Sequence, residues 1–129
     1  GIKRAAVVHS RDGLDELSPA APTDLFIIEN GQIKEMTIEP ADYINPETLQ
    51  QIAGGDSIEN LKILDDLLNG EEIPVKQAII LNAGACLWIC GVANSLKQGC
   101  EMCKNALESG QVKTYFDEWI NTAQSMAQD

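Results

Sequence analysis

The pattern of apolar and polar positions predicts strands in the first part of the chain and helices in the rest. Residues 5–9 are an apolar run typical of a buried strand, and residues 25–28 and 33–38 are two more β-prone runs. Asn30 and Gly31 lie between these two runs, and both residue types tolerate the positive φ of a type I′ turn. The pattern therefore predicts one strand and then a hairpin, with its second strand at a sheet edge.

After Pro40 the spacing of apolar residues becomes helical. Asn45 and Pro46 predict the start of a short helix that ends at Gly54. Asp56 and Glu59 have the spacing of a capping box, which opens a helix that stops at Gly70. Three further helices are predicted over residues 75–93, 95–110 and from 112 onward, the last with apolar residues at helical spacing and then a polar tail.

This layout predicts an α/β fold with few strands, one hairpin among them, followed by several amphipathic helices. So few strands cannot cover that many helices as a normal α/β sheet would. Either the chain is a small α+β module, or the missing strands lie upstream of it. The start at Gly1 instead of Met favours the second alternative, a cleaved or truncated terminus.

The composition limits the partners. The 129 residues include 20 acidic and nine basic ones, for a net charge of −11. Nucleic acid and anionic membranes are held by Lys and Arg, so this surface would repel both. A phosphate-bearing ligand would need a metal bridge to carboxylates, or basic groups from outside the chain. We therefore expect neither a nucleic-acid nor a membrane partner.

The cellular location is predicted from the apolar stretches and the cysteines. No targeting leader is visible. The longest apolar stretch, residues 78–93, spans 16 residues and includes Asn82, so it is too short for a bilayer and is interpreted as a buried helix. Four cysteines without a secretion signal indicate reduced thiols in a cytoplasm.

The segment with the clearest chemistry follows the first predicted strand. The apolar run ends in a turn with Gly13, and the adjacent carboxylates Asp15 and Glu16 come next. Ligands of α/β folds bind at such loops, and Mg²⁺ takes one or two carboxylates with water and phosphate oxygens. Neighbouring side chains can reach one metal only where the backbone is irregular, which Gly13 favours. A solvated turn is the plain alternative for an isolated Asp-Glu pair.

The chain resembles the anthranilate phosphoribosyltransferase family over nearly its whole length, in order and without large gaps. The segments that carry the resemblance are residues 4–9, 13–18, 54–60, 67–70, 81–88, 95–99 and 107–110. The resemblance implies that residues 1–129 are the C-terminal part of a single α/β catalytic domain. The N-terminal helical domain and the first part of the α/β domain would then be absent.

What the resemblance implies for function is the second step of tryptophan biosynthesis. Anthranilate displaces pyrophosphate from phosphoribosyl pyrophosphate, and Asp15 and Glu16 match the acidic motif of the family that holds Mg²⁺. The family's Gly-rich loop and anthranilate-contacting residues have no counterpart here, so no catalytic or substrate-binding residue is assigned. We expect the intact enzyme to be a cytoplasmic homodimer and the isolated segment to be inactive.

Other candidate residues have plainer interpretations. His9, the only histidine, is a possible base, but we expect it to shape the loop through a hydrogen bond. The four cysteines have C-x3-C and C-x2-C spacing, which allows a zinc site, but core packing is favoured for Cys86, Cys90, Cys100 and Cys103.

The remaining paired acids and the two tryptophans are not expected to form a site. Asp65, Asp66, Glu71 and Glu72 are interpreted as solvated charges. Trp88 and Trp119 are interpreted as core or interface residues.

Two alternatives to the transferase remain open. A pyrimidine nucleoside phosphorylase has a similar fold but uses free phosphate and has less need of an acidic pair. A stand-alone acidic interaction module would have no catalytic activity at all.

Overall fold

A computed structural model describes residues 2–127, which form a three-stranded antiparallel sheet and then four α-helices. The strands have the order β1-β2-β3 in the sheet. Their bounds are Arg4–Ser10 for β1, Thr23–Glu29 for β2 and Gln32–Ile38 for β3. The helices are α1 (Ser57–Leu68), α2 (Val75–Ile89), α3 (Leu96–Glu108) and α4 (Gln111–Met126), and a 3₁₀ turn covers Pro40–Asp42. Strands followed by helices, with one hairpin, confirm the predicted α/β layout.

The predicted hairpin is present between β2 and β3. Asn30 and Gly31 have φ angles of 51° and 75°, as a type I′ turn requires, and the closing pair is Glu29 with Gln32. β3 pairs with β2 alone within residues 2–127, so the prediction that it forms a sheet edge is confirmed.

The first strand is less buried than its sequence predicts. Only Ser10 of β1 is buried, and Val7 is 56% exposed. Within residues 2–127 β1 pairs with β2 alone, so its other edge has no neighbouring strand there. Ala6 and Val8 pack against the core but are only partly buried, so the expectation of a buried strand is met only in part.

The short helix predicted from Asn45 to Gly54 is wrong. Residues 45–55 contain only a turn near Thr48, where Gln51 N–H donates to the Thr48 carbonyl oxygen over 3.0 Å. The Gln51 side-chain oxygen accepts from both the backbone N–H and the hydroxyl of Thr48, at 2.9 and 2.7 Å. These local side-chain bonds compete with helical hydrogen bonding.

The ends of the longer helices follow from their capping residues. Asp56 and Glu59 form the predicted capping box of α1. α2 ends at Ile89, four residues before the predicted limit, because Gly91 adopts a φ of 78°. The N–H of Gly91 then donates to Trp88 O over 3.1 Å, and that of Val92 to Leu87 O over 2.9 Å. This pair of bonds is a Schellman motif, which closes the helix.

The core lies between the sheet, α2 and α3. Its fully buried members come from β2, β3, the loop after β1, and the two helices: Leu17, Leu25, Ile38, Leu81 and Leu96. The two helices cross closely at Gly84 and Gly99, where a Cβ atom on Gly99 would overlap the carbonyl oxygen of Gly84. Glycine at both positions therefore lets the two backbones touch.

The apolar faces of α1 and α4 remain largely exposed. Ile58 and Leu61 of α1 are 76% and 58% exposed. No residue of α4 is buried, and Tyr115 and Trp119 are 73% and 57% exposed. Trp119 is thus not a core residue in the described part of the chain, whereas Trp88 packs against the core.

Glu72 is exposed, as expected of a solvated charge, but it also pairs with a buried cation. Its carboxylate lies 2.6 Å from the ammonium nitrogen of Lys76, whose side chain is only 4% exposed. This hydrogen bond and the charge of Lys76 hold the pKa of Glu72 below its ordinary value. A buried ammonium needs such a partner, and helical i,i+4 spacing supplies it.

Candidate metal and diphosphate site

The predicted acidic pair lies on the loop of residues 11–22 that joins β1 to β2. Gly13 turns the loop with a φ of 94°, and its N–H donates to Ser10 O over 3.0 Å. Asp15 and Glu16 follow in an irregular bend, and both are exposed. The irregular backbone expected for two neighbouring metal ligands is therefore present.

Both acidic residues line one cleft of about 320 Å³ between β1 and α2. Most of its wall is apolar and includes Val8, Leu17 and Trp88. Neither Lys nor Arg is among the residues lining it. The volume is at the lower end of the range for small-molecule sites. An anionic ligand here would meet negative charge unless a cation or outside basic groups intervened.

Asp12 fixes the loop before the acidic pair. Its carboxylate accepts from the hydroxyls of Ser10 and Ser18, each over 2.6 Å, and from Leu14 N–H over 3.3 Å. Partial burial acts to raise the pKa of Asp12, but these hydrogen bonds outweigh it and the pKa lies below its ordinary value. The charged Asp12 side chain therefore links Ser10, at the end of β1, to Ser18, which follows the acidic pair.

Asn82 of α2 fixes the loop after the acidic pair. Its side-chain oxygen accepts from Leu17 N–H over 2.9 Å, and its amide nitrogen donates to Leu17 O over 2.8 Å. The same nitrogen donates to Ala78 O over 3.0 Å. The sequence pattern indicated no role for Asn82. The only hint was that it is the one side-chain amide in the apolar stretch 78–93.

The carboxylates of Asp15 and Glu16 are available for a ligand. Within residues 2–127 neither makes a side-chain hydrogen bond or an ion pair. Across that range no group of three or more His, Cys, Asp or Glu side chains could hold a metal ion. Two hard carboxylates fit Mg²⁺, which completes its octahedron with water and ligand oxygens. The pair therefore fits a metal that binds together with a phosphate-bearing ligand.

The hydrogen bond expected of His9 is not formed. His9 is exposed at the end of β1, and its side chain has no hydrogen-bond partner within the described chain. It lies opposite Asp24 in the β1–β2 register. The pKa of Asp24 is lowered chiefly by hydrogen bonds from Arg11 and Thr37, and His9 is the smallest of the named causes. Asp12 and Asn82, rather than His9, shape the loop.

The cysteines fall into two groups, which corrects part of the core prediction. Cys86 and Cys90 are exposed and line the cleft. Cys100 is buried, and burial raises the pKa of its thiol to about 11. Cys103 is half-buried, and its pKa is also raised by burial. No zinc-binding set forms among them in the described chain.

Comparison with known proteins identifies the family. The sequence profile of the glycosyl transferase family, a/b domain, matches residues 1–113. The chain belongs to this glycosyl transferase family. It is 34% identical over 129 residues to the anthranilate phosphoribosyltransferase of Rubrobacter xylanophilus, with 98% of this chain and 38% of that protein covered. The resemblance stated from the sequence is thereby confirmed.

Solved structures share the fold. The anthranilate phosphoribosyltransferase of Thermus thermophilus superposes with a TM-score of 0.78 at 29% identity, over 92% of this chain and 35% of that one. The Saccharomyces cerevisiae enzyme in complex with PRPP and Mg has a TM-score of 0.82 at 23% identity, over 93% and 35%. This member of the glycosyl transferase family thus spans little more than a third of its relatives' length. No helix in the described residues has the length and apolar character needed to cross a bilayer.

Proposed function

We propose that the chain is the C-terminal part of the α/β catalytic domain of an anthranilate phosphoribosyltransferase, and that Asp15 and Glu16 supply its Mg²⁺ site. The observation that carries the proposal is that the carboxylates of Asp15 and Glu16 have no hydrogen-bond partner in the described chain. They lie on a loop held by hydrogen bonds, beside a cleft of a glycosyl transferase domain. The similar proteins carry the name anthranilate phosphoribosyltransferase, which supports this assignment of the reaction. A yeast relative with the same fold binds PRPP and Mg.

The proposed reaction transfers phosphoribosyl from phosphoribosyl pyrophosphate to the amine of anthranilate, with release of pyrophosphate. Negative charge builds on the leaving diphosphate, and positive charge on the ribose. Bound Mg²⁺ would supply charge neutralisation and a fixed position for the leaving group. Asp15 and Glu16 need not move protons, because their role is to hold the cation. The residues that orient anthranilate are not assigned to this chain.

The charge of the chain supports a metal-dependent mechanism. A diphosphate that approached Asp15 and Glu16 without a cation would be repelled, and the cleft lining contains no basic side chain. Mg²⁺ binds phosphate oxygens and carboxylates together, which turns this repulsion into attraction. Through a bound cation, the acidic pair would allow a diphosphate to bind a chain with a net charge of −11.

The intact enzyme would be a cytoplasmic homodimer of the tryptophan pathway. Four cysteines, none in a disulfide, support a reducing compartment. The exposed apolar faces of α1 and α4 support further protein contacts in the intact enzyme. The 129-residue chain alone is expected to show no turnover, because none of the described residues that line the cleft is basic.

The test compares the wild type with the double variant Asp15→Asn and Glu16→Gln in the protein as its gene encodes it. Loss of anthranilate fluorescence on addition of PRPP measures turnover during a Mg²⁺ titration. We expect kcat/KM for PRPP to fall by about 100-fold, which is about 2.7 kcal/mol of transition-state stabilisation. The KM for anthranilate should change little. An unchanged Mg²⁺ dependence would contradict the metal assignment.

The matched control removes two other adjacent acids. Asp65→Asn with Asp66→Asn makes the same change in charge on α1, where Asp66 pairs with Lys62. This variant should keep wild-type kinetics, because exposed ion pairs contribute little. Turnover of thymidine plus phosphate, in place of anthranilate plus PRPP, would instead favour the nucleoside phosphorylase. Absence of both activities in the wild type would favour the non-catalytic module.

A further inference from the structure

We infer that Asn82 is a positioning residue for the acidic pair: its amide holds the peptide groups that follow Glu16 and so sets where both carboxylates point. The inference rests on the proposed function. Its starting point is the pair of hydrogen bonds between the Asn82 amide and Leu17, one residue after Glu16. Asn82 and Leu17 are 65 residues apart in sequence, so only the tertiary fold brings them together.

Hydrogen bonds hold the residues on both sides of Asp15 and Glu16, but not the side chains of these two residues. Before them, Asp12 holds Leu14 N–H; after them, Asn82 holds both backbone polar groups of Leu17. The Leu17 side chain is 1% exposed, so the core fixes this residue as well. Asp15 and Glu16 therefore form a short exposed segment between two fixed points. A site held in advance in this way loses less entropy when it binds a cation.

Asn82 is suited to this role because an amide both accepts and donates. Leu17 presents one N–H and one C=O, and the two ends of the Asn82 side chain match them. The third hydrogen bond, to Ala78 O, fixes the orientation of the amide on α2. Asn82 also lines the same cleft as Asp15 and Glu16. These direct hydrogen bonds therefore fix the position of the loop relative to α2.

The principal test is Asn82→Leu, which keeps the branched shape and the number of heavy atoms of the side chain and removes all three hydrogen bonds of the amide. The matched control is Asn105→Leu, the same change at an exposed position of α3. The first measurement is hydrogen exchange of the loop peptide that contains Leu17, which needs no activity. Asn82→Leu should lose protection there, and Asn105→Leu should not.

The second measurement is the affinity for Mn²⁺ in the presence of PRPP, followed by electron paramagnetic resonance. Outer partners of metal ligands typically contribute about 10–100-fold in metal affinity, so Asn82→Leu should weaken binding by about 10-fold or more. In the Asp15→Asn, Glu16→Gln background the same change should have no further effect, since Asn82 acts through those carboxylates. A full additional loss in that background would overturn the inference.

Asn82→Asp covers the case in which Asn82→Leu does not fold. Aspartate keeps the acceptor for Leu17 N–H, loses the donor to Leu17 O, and adds a negative charge to the cleft that Asp15 and Glu16 line. If Asn82 positions the carboxylates of Asp15 and Glu16, the metal affinity of Asn82→Asp falls despite the extra charge. If Asn82 has no positioning role, the added charge raises affinity, which overturns the inference.

The outcomes separate the inference from the proposed function. A wild-type protein without PRPP-linked Mn²⁺ binding would overturn both. Normal wild-type binding together with unchanged binding in Asn82→Leu would overturn the inference alone.

Discussion

Replacement of Gly99 by Ala tests the close contact between α2 and α3. The added Cβ atom would overlap the carbonyl oxygen of Gly84 and would lie 2.9 Å from its carbonyl carbon and 3.0 Å from its Cα. These are backbone atoms of a helix, so no side chain can rotate away. The helices would have to separate, and the buried contacts of α2 with α3 would loosen.

The expected magnitude follows from two opposing effects. Alanine is favoured over glycine within a helix by up to about 1 kcal/mol. Overpacking of a core typically costs about 1–3 kcal/mol, and contacts with backbone belong at the upper end. We therefore expect Gly99→Ala to lower the free energy of unfolding by about 2 kcal/mol. Gly84→Ala should have a similar effect, because its Cβ would lie 2.7 Å from Cys100 N.

The assay is urea unfolding followed by far-UV circular dichroism. Asn105→Ala, at an exposed position of α3, is the control and should change the free energy of unfolding by less than about 0.5 kcal/mol. Helix propensity alone predicts that Gly99→Ala is stabilising. A Gly99→Ala protein as stable as the wild type, or more stable, would therefore refute the close helix crossing.

Two further predictions concern pH and thiol reactivity. The pKa of Asp12 is lowered in the folded protein, so its contribution to stability is present above the ordinary Asp pKa and is lost as pH falls through the lowered value. Asp12→Asn should flatten the decline of unfolding free energy as the pH falls below about 4, the ordinary Asp pKa. An unchanged slope would show that the hydrogen bonds of Asp12 do not stabilise the fold. Native protein treated with iodoacetamide should be modified quickly at Cys86 and Cys90 and slowly at Cys100, which is buried and has a thiol pKa of about 11. Mass spectrometry of tryptic peptides would measure this, and equal rates at all three would show that the assigned burial is incorrect.

Local features of the fold were predictable from the sequence wherever a few neighbouring residues decide the conformation. Asn30-Gly31 set the hairpin turn, and Asp56 with Glu59 set the start of α1. The prediction failed at Asn45–Gly54, where Thr48 and Gln51 bond with each other instead of continuing a helix. The end of α2 was placed too late, since an apolar run gave no sign that Gly91 would adopt a positive φ.

The candidate site, too, was predictable from the sequence only in part. The position of Asp15 and Glu16 on an irregular loop was predictable, because a strand, a glycine and two acids follow one another in the chain. Asn82 and the burial of Lys76 were not predictable in this way. Their partners and their surroundings come from other elements, and periodicity reports only which face of a helix is apolar.

The sequence by itself determined the succession of strands and then helices, the hairpin turn, the capping box of α1 and the acidic pair, because each depends on residues close together in the chain. The family followed from segments matched along nearly the whole chain. Only the tertiary structure decided which side of α2 meets α3, which cysteines are buried, and what holds the acidic loop in place. The physical reason is that hydrogen bonds such as those from Asn82 to Leu17 join distant segments. They form only after the sheet and helices have packed.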